Sequence, residues 1–387
     1  MPWKEVTAVS QRQEFVVFAQ DPGANIRELC RRFCISARTG YRWLGRFKGE
    51  PFAELSDRSS RPLHSPSETN IERQAWLLAL RDEFPYWGGR KLRAILAEPG
   101  YVPEGQLGTI PSSSTITDIL RRHGRLDSKL AEQAKAWQRF EHEAPNQLWQ
   151  MDFKGHFAIV DRDSSRCHPL TVLDDCSRFM LCLRACSNEQ EATVKESLRT
   201  TFRTYGLPLR MTADNGSPWG CVPADGLTGL GVWLALLGVR LSHSRPYHPQ
   251  TQGKDERFHR TLNFELLTRH SFDSIPSSQA AFDTWRDQYN CIRPHEACGL
   301  QPPSSRYQIS PRPFPEALPT FEYDSGDIVR KVATTGRISY KDRPYSVGKS
   351  LQGLHVALRP SAEDAVFDVF FCQQLVRKIH LIHDQLP

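Results

Sequence analysis

The apolar residues of this chain change their spacing at about Asn146, and that change limits the fold more than any other feature of the sequence. Before it, they recur at helical intervals between capping residues; after it, short apolar runs alternate with helical stretches, as in a sheet covered by helices. A chain of 387 residues is too long for one ordinary domain of roughly 100 to 200 residues, so several units in series are expected. The expected order is all-α helix-turn-helix units first, a mixed-sheet α/β core next, and a small β-barrel last.

The first segment, 1–50, reads as three short helices. Ser10-x-x-Gln13 and Asn25-x-x-Glu28 have the form of capping boxes and place helices near 10–20 and 25–33. A tight Cys34-Ile35-Ser36 connection leads into a third helix, ARTGYRWLGRFK, capped by Ser36. Arg38, Arg42 and Arg46 recur on it every four residues, while Trp43, Leu44 and Phe47 supply an apolar side. That is helix-turn-helix geometry, with Thr39 and the three arginines on the face offered to DNA. The net charge of +6 is modest, but residues 1–48 hold nine Lys/Arg against four Asp/Glu, so most of the excess lies here. That concentration points to a nucleic-acid partner.

After a polar Pro/Ser-rich linker, a second helical unit over 66–126 contains PYWGGRKLRAIL and a Ser-capped PSSSTITDILRRHGR. It is read as a second helix-turn-helix or winged-helix module, with Arg121 and Arg122 toward DNA. A helical connector is expected over 127–145. In the core, 146–310, strands are expected at Leu148–Phe153, Phe157–Val160, Pro169–Leu173, Met180–Leu183, Leu209–Ala213 and Val239–His243. Helices are expected at Asn188–Tyr205, Leu227–Leu237, from about Gly253 to Arg269, and at Ser277–Tyr289. A Pro-rich linker precedes 320–387, whose short alternating segments predict the barrel.

Several classes are excluded or disfavoured. With 39% hydrophobic and 24% charged residues, and no apolar run near the roughly 18 needed to cross a bilayer, no membrane span is expected. The N-terminal residues lack the order of a secretory signal, so a cytoplasmic, nucleoid-associated protein is expected. Ten cysteines are scattered without CxxC pairs, which argues against a disulfide framework or zinc ribbon and for buried thiols. No GxxxxGK[ST] phosphate loop is present, so no nucleotide cofactor is expected.

Three acids stand out in the core. Asp152 lies inside the apolar strand LWQMDF, Asp214 ends the strand LRMTA before an Asn-Gly turn, and Glu256 begins a helix. Singly, these are an edge residue, a turn former and a favourable charge at a helix N-terminus. Together they can converge, since Glu256 stands about 200° from Phe258 and off the Phe258–Leu262–Leu266 stripe. Converging carboxylates repel one another unless cations lie between them, and two Mg²⁺ or Mn²⁺ ions about 4 Å apart serve phosphodiester chemistry. The adjacent Asp174 and Asp175 point to opposite sides of a strand and are read as a turn or a structural hydrogen bond.

The motifs WQMDF, LDDCSRF, TADNG, HPQTQGKDERFHRTL and YNCIRPHEACGLQPPSSRY resemble the catalytic core of retroviral integrases and insertion-sequence transposases of the RNase H-like DDE superfamily. The resemblance covers roughly Asn146 to Tyr307, and the linked pattern DNG…HPQTxGxxER is its most specific part. It implies that Asp152 bridges two Mg²⁺ or Mn²⁺ ions per active site, with Asp214 and Glu256 each helping to hold one. Water would cut at a transposon end, and the released 3′-OH would attack target DNA. Asn215, His248 and Gln250 would support the site, and Lys254 and Arg257 would meet phosphates. The implied partners are terminal inverted repeats, target DNA and further copies of the chain, at least a dimer.

Two departures stand beside this. Between Asp214 and Glu256 lie 41 residues, more than is usual in the family, with Trp219–Thr228 read as the extra loop. Asp255 and Glu265 are therefore alternatives for the third ligand, although Asp255 is expected to point elsewhere on its helix. Further, the first 60 residues contain no histidine, so the zinc module of retroviral integrases has no counterpart and the likeness is to bacterial transposases. A DNA-binding regulator without catalysis and an RNase H-like nuclease are the rival readings.

Overall fold

The computed structural model describes residues 7–47, 55–57, 68–101, 110–126, 141–160, 166–220, 226–243 and 253–381. They belong to two compact units, Met1–Asn70 and Ile71–Pro387. Of the helical connector predicted over 127–145, residues 127–140 lie outside the described residues, and 141–145 are not helical.

The first unit holds α1 (Ala8–Ala19), α2 (Ile26–Arg32) and α3 (Ala37–Arg46). The cap of α1 is Thr7 rather than Ser10. Thr7 accepts from the Ser10 amide, and the Ser10 hydroxyl returns to accept the Thr7 amide at 2.9 Å. Ser10 is thus the third residue of the box and not its first. Asn25 and Ser36 cap α2 and α3 as expected. Phe15, Val16, Cys30 and Trp43 form the core, and a Cβ on Gly40 would collide with Cys30 Sγ and Phe15, so glycine is what lets α3 lie so close.

The second unit begins with α4 (Ile71–Glu83), α5 (Gly89–Leu96) and α6 (Ser113–Arg122) around Leu77, Trp87, Leu92, Ile116, Ile119 and Leu120. Ser112 caps α6 by accepting the Thr115 amide. Gly89 lies hard against the Ser113 carbonyl, where a Cβ would not fit.

The core sheet follows, with β1 (Leu148–Phe153), β2 (Phe157–Ala158), β3 (Arg166–Asp174), β4 (Met180–Cys186), β5 (Arg210–Ala213) and β6 (Arg240–His243). Its order is β2-β3-β1-β5-β6, with β4 also paired to β3. β1 runs antiparallel to β3 and parallel to β5, which runs parallel to β6. Helices α7 (Glu191–Tyr205) and α8 (Gly229–Leu236) cover one face over Trp149, Met151, Leu170 and Val172. Helices α9 (Gly253–Leu262) and α10 (Ile275–Cys291) cover the other, with Phe258, Leu262, Phe282 and Trp285 in the core. Each such fully buried side chain contributes about 1.5–3 kcal/mol of transfer free energy. The predicted helix to Arg269 is α-helical only to Leu262, then π-helical over Asn263–Leu267.

The last part holds β7 (Ile328–Lys331), β8 (Arg337–Tyr340), β9 (Arg343–Ser346), β10 (His355–Pro360), β11 (Val366–Phe371) and β12 (Gln374–His380). The barrel expected here is not closed by hydrogen bonds among the described strands. They form an antiparallel sheet, β12-β11-β10-β7, and a separate β8-β9 hairpin. Ile338 and Tyr345 of the hairpin and Val356, Leu358 and Val369 of the sheet share one core with Val232 and Ala235 of α8, so burial unites what the ladders do not. The chain therefore has a helical helix-turn-helix region, a mixed α/β core and a C-terminal antiparallel β region.

Candidate active site

The side chains of β1 alternate: Trp149 and Met151 enter the core beneath α7 and α8, which turns Gln150 and Asp152 toward α9. The parallel register pairs Gln150 with Thr212. Carried two residues on, it sets Asp152 beside Asp214 at the ends of neighbouring strands, about 4.8 Å apart in the ladder direction. Asp214 Oδ1 accepts the Gly216 amide at 2.9 Å, and its carbonyl meets His243 Nδ1 at 2.8 Å, so the turn role and the site role coexist. Burial, and next the charge of Asp214, push the Asp152 carboxyl up to about 7.

Helix α9 closes the site from above. His259 Nε2 lies 2.9 Å from Thr171 Oγ1, and Thr171 donates to the Asp152 carbonyl at 2.9 Å. His259 therefore donates through Nε2 and turns a bare Nδ1 toward Asp152 Oδ2, 3.8 Å away. Burial, then the charge of Lys154, hold its imidazole neutral by lowering it to about 4. Sequence reading missed His259, although it stands one turn beyond the two acids that open α9.

The first turn of α9 departs from expectation. Glu256 is exposed, whereas Asp255, expected to point elsewhere, is the buried acid. Asp255 lies three residues before Phe258 and so falls on the buried stripe. Its carboxyl is raised well above the ordinary range by burial, then by the charges of Asp152 and Asp175. Glu265 is fully engaged by Arg293 through bonds of 2.8, 2.9 and 3.1 Å, which removes it from the candidate ligands.

Lys254 donates to Asp175, which also accepts from Gln150 Nε2 at 2.7 Å and the His142 amide at 3.0 Å. The Lys254 side chain is mostly buried in this pair, 18% exposed. Asp174 accepts from the Asn146 and Ser177 amides, both at 2.8 Å, as the turn reading required. Arg257 pairs with Glu296 at 3.1 Å on the surface. Asn215 is exposed next to Asp214. His248 and Gln250 lie outside the described residues.

On the helical units, Arg38 and Arg42 are exposed, while Arg46 is half-buried with its guanidinium 4.8 Å from the Trp43 ring. The Thr39 hydroxyl bonds Ser36 at 2.8 Å and so belongs to the cap of α3. Arg121 pairs with Asp118 on α6, and Arg122 is exposed.

Among the described residues, no three His, Cys, Asp or Glu side chains are grouped closely enough to hold an ion as they stand. The donor set nevertheless fits a hard divalent cation: two carboxylates side by side, repelling one another, with a third carboxylate oxygen, Asp255 Oδ1, buried and without a hydrogen-bond partner.

Models of the integrase core domain match residues 142–249 and 237–303. The C-terminal domain of IS481 family transposases matches 327–386, a homeodomain-like domain 39–120 and a helix-turn-helix domain 11–62. An uncharacterized 39.2 kDa protein of insertion element IS476 from Xanthomonas euvesicatoria is 29% identical over 41% of this chain and 44% of its own length. An uncharacterized 31.7 kDa protein of insertion element IS407 from Burkholderia multivorans is 28% identical over 42% of this chain and 55% of its own. The chain thus spans about half the length of the curated relatives it matches. Among solved structures, the HTLV-2 integrase catalytic core domain in complex with magnesium is 14% identical, with a TM-score of 0.32 over 43% of this chain and 99% of that one.

Proposed function

Since the chain belongs to the insertion-sequence transposases that carry an integrase core, we propose that it binds the terminal inverted repeats of its element, cuts there, and transfers the 3′-OH strands into target DNA. The observation that carries this reading is the pair Asp152 and Asp214 at adjacent parallel strand ends, with the first turn of α9 beside them. Asp152 and Asp214, with Glu256 from that turn, would hold two Mg²⁺ or Mn²⁺ ions. When bound, such ions neutralise charge on the attacking and leaving oxygens of a phosphodiester.

The chain's own residues do the rest. The sheet fixes the two aspartates, so little ordering is left to be done when substrate arrives. His259, neutral and donating to Thr171, holds the β1 end against α9 and walls the site on that side. Lys254, paired with Asp175, seats the helix start that bears Glu256. Arg257, on the exposed face, is free to exchange Glu296 for a phosphate, because a surface ion pair is worth only about 0–1 kcal/mol. Arg38, Arg42, Arg121 and Arg122 are proposed to track the DNA backbone from the two helical modules. Coordinated cutting of two ends calls for at least a dimer, acting on DNA in the bacterial cytoplasm.

The test is strand transfer by purified protein with labelled DNA from the gene's own flanks, comparing wild type with Asp214→Asn and Glu256→Gln. Joined products from wild type alone, with end binding kept by both variants, support the reading. Binding without any cutting or joining by wild type overturns it.

A further inference from the structure

Asp255 is 3% exposed, and its Oδ1 is buried with no hydrogen-bond partner among the described residues. An ionised carboxylate in that condition costs several kcal/mol unless something completes it, and buried polar groups without a partner are few in folded proteins. The cation next to it in sequence does not serve, because the Lys254 ammonium is used by Asp175. The orientation of Asp255 follows from the helix. It stands one turn before His259, on the same face of α9, and His259 Nδ1 lies 3.8 Å from Asp152 Oδ2 while Nε2 meets Thr171. The Asp255 carboxylate is thereby turned toward the end of β1, where Asp152 and Asp214 lie.

We propose that Asp255 is a further carboxylate of the cation site, facing Asp152 from the buried side of α9 and completed by the divalent ion that Asp152 and Asp214 hold. The inference rests on the metal-dependent reading above and adds to it an acid distinct from Glu256. A purely structural role makes the opposite demand. An acid that merely fills space among apolar side chains would be served as well, or better, by a neutral group of the same shape.

The experiment is Mn²⁺ binding to the full chain without DNA, by calorimetry or electron paramagnetic resonance, for wild type, Asp214→Asn, Asp255→Asn and Glu316→Gln. Glu316 pairs with Arg203 on the surface and serves as the control for loss of one negative charge. Asp255→Val, which brings no polar atom into the wall, repeats the comparison should the asparagine form fold poorly. Asp214→Asn and both Asp255 variants are expected to weaken Mn²⁺ binding by about tenfold or more, with Glu316→Gln unchanged. Wild-type affinity in both Asp255 variants, with Asp214→Asn weakened, overturns the inference and leaves the proposed function standing. Wild-type affinity in all of them overturns both.

Discussion

The ammonium group of Lys254 donates to the carboxylate of Asp175, whose side chain is only 2% exposed, and so ties the first turn of α9 to the turn that follows β3. Asp175 also takes the Gln150 amide of β1, so strand and helix are held to one point two residues from Asp152. Removing one partner leaves the other charge buried and unpaired. Lys254→Met and Asp175→Ala are each expected to cost about 3–5 kcal/mol, read as a lower urea midpoint by tryptophan fluorescence. The double variant Lys254→Met/Asp175→Asn should recover part of that loss. Single variants as stable as wild type would show that the pair does not hold the helix.

Glu265 and Arg293 form a second buried pair, with side chains 7% and 10% exposed. Arg293→Ala is expected to destabilise the chain by about 3–5 kcal/mol. Glu265→Gln should leave Mn²⁺ affinity as it is, since all of its acceptor geometry is turned to the guanidinium. A drop in Mn²⁺ affinity would return Glu265 to the ligand set.

How much of this was legible in the sequence depends on the kind of signal. The strand ends bearing Asp152 and Asp214 were readable because a buried sheet enforces apolar runs and the Asn-Gly turn marks where one stops. The helices of the first unit were readable from their caps, though two candidate hydroxyls, Thr7 and Ser10, left the first cap open. Asp255 was misread because its polarity outweighed its position. It stands three residues before Phe258, squarely on the buried stripe, and only the absence of an apolar side chain hid it. The pairing of Lys254 with Asp175 was not readable, because nothing in the sequence joins residues 79 positions apart. Likewise, the alternating C-terminal segments announce strands, but which strands pair is a matter of long-range register, and the described ladders stop short of closure.

For DNA binding, Arg38→Ala and Arg42→Ala should each reduce the slope of log affinity against log salt by about 0.9 if each neutralises one phosphate. Arg46→Ala should also lower the stability of the first unit, since its guanidinium stacks on Trp43. Electrophoretic mobility shifts across a salt series read the first effect, and thermal unfolding the second. An unchanged slope in both exposed-arginine variants would take the DNA face off α3.

His295 offers a pH test away from the cation site. Burial, then the charge of Arg293, lower its imidazole to about 3, and its Nδ1 accepts the Ala297 amide at 3.2 Å, which the imidazolium could not do. The unfolded chain takes up this proton near the ordinary 6.5 and the folded chain does not. Stability is therefore fully present above about 6.5 and falls as pH drops toward 3, by up to about 1.4 kcal/mol per pH unit from this group. Urea unfolding at pH 7, 6, 5 and 4 should show the loss, and His295→Asn should flatten it. A variant with the wild-type slope would remove His295 as the cause.

The central claim is that Asp152 holds the cation on which DNA joining depends, and replacing its oxygen donor by sulfur tests it most directly. Thiolate favours softer ions over Mg²⁺, so Asp152→Cys should join labelled ends to target DNA in Mn²⁺ but not in Mg²⁺, where wild type joins in both. Joining by Asp152→Cys in Mg²⁺ at the wild-type rate would contradict the account, because the carboxylate of Asp152 would then not be holding the ion.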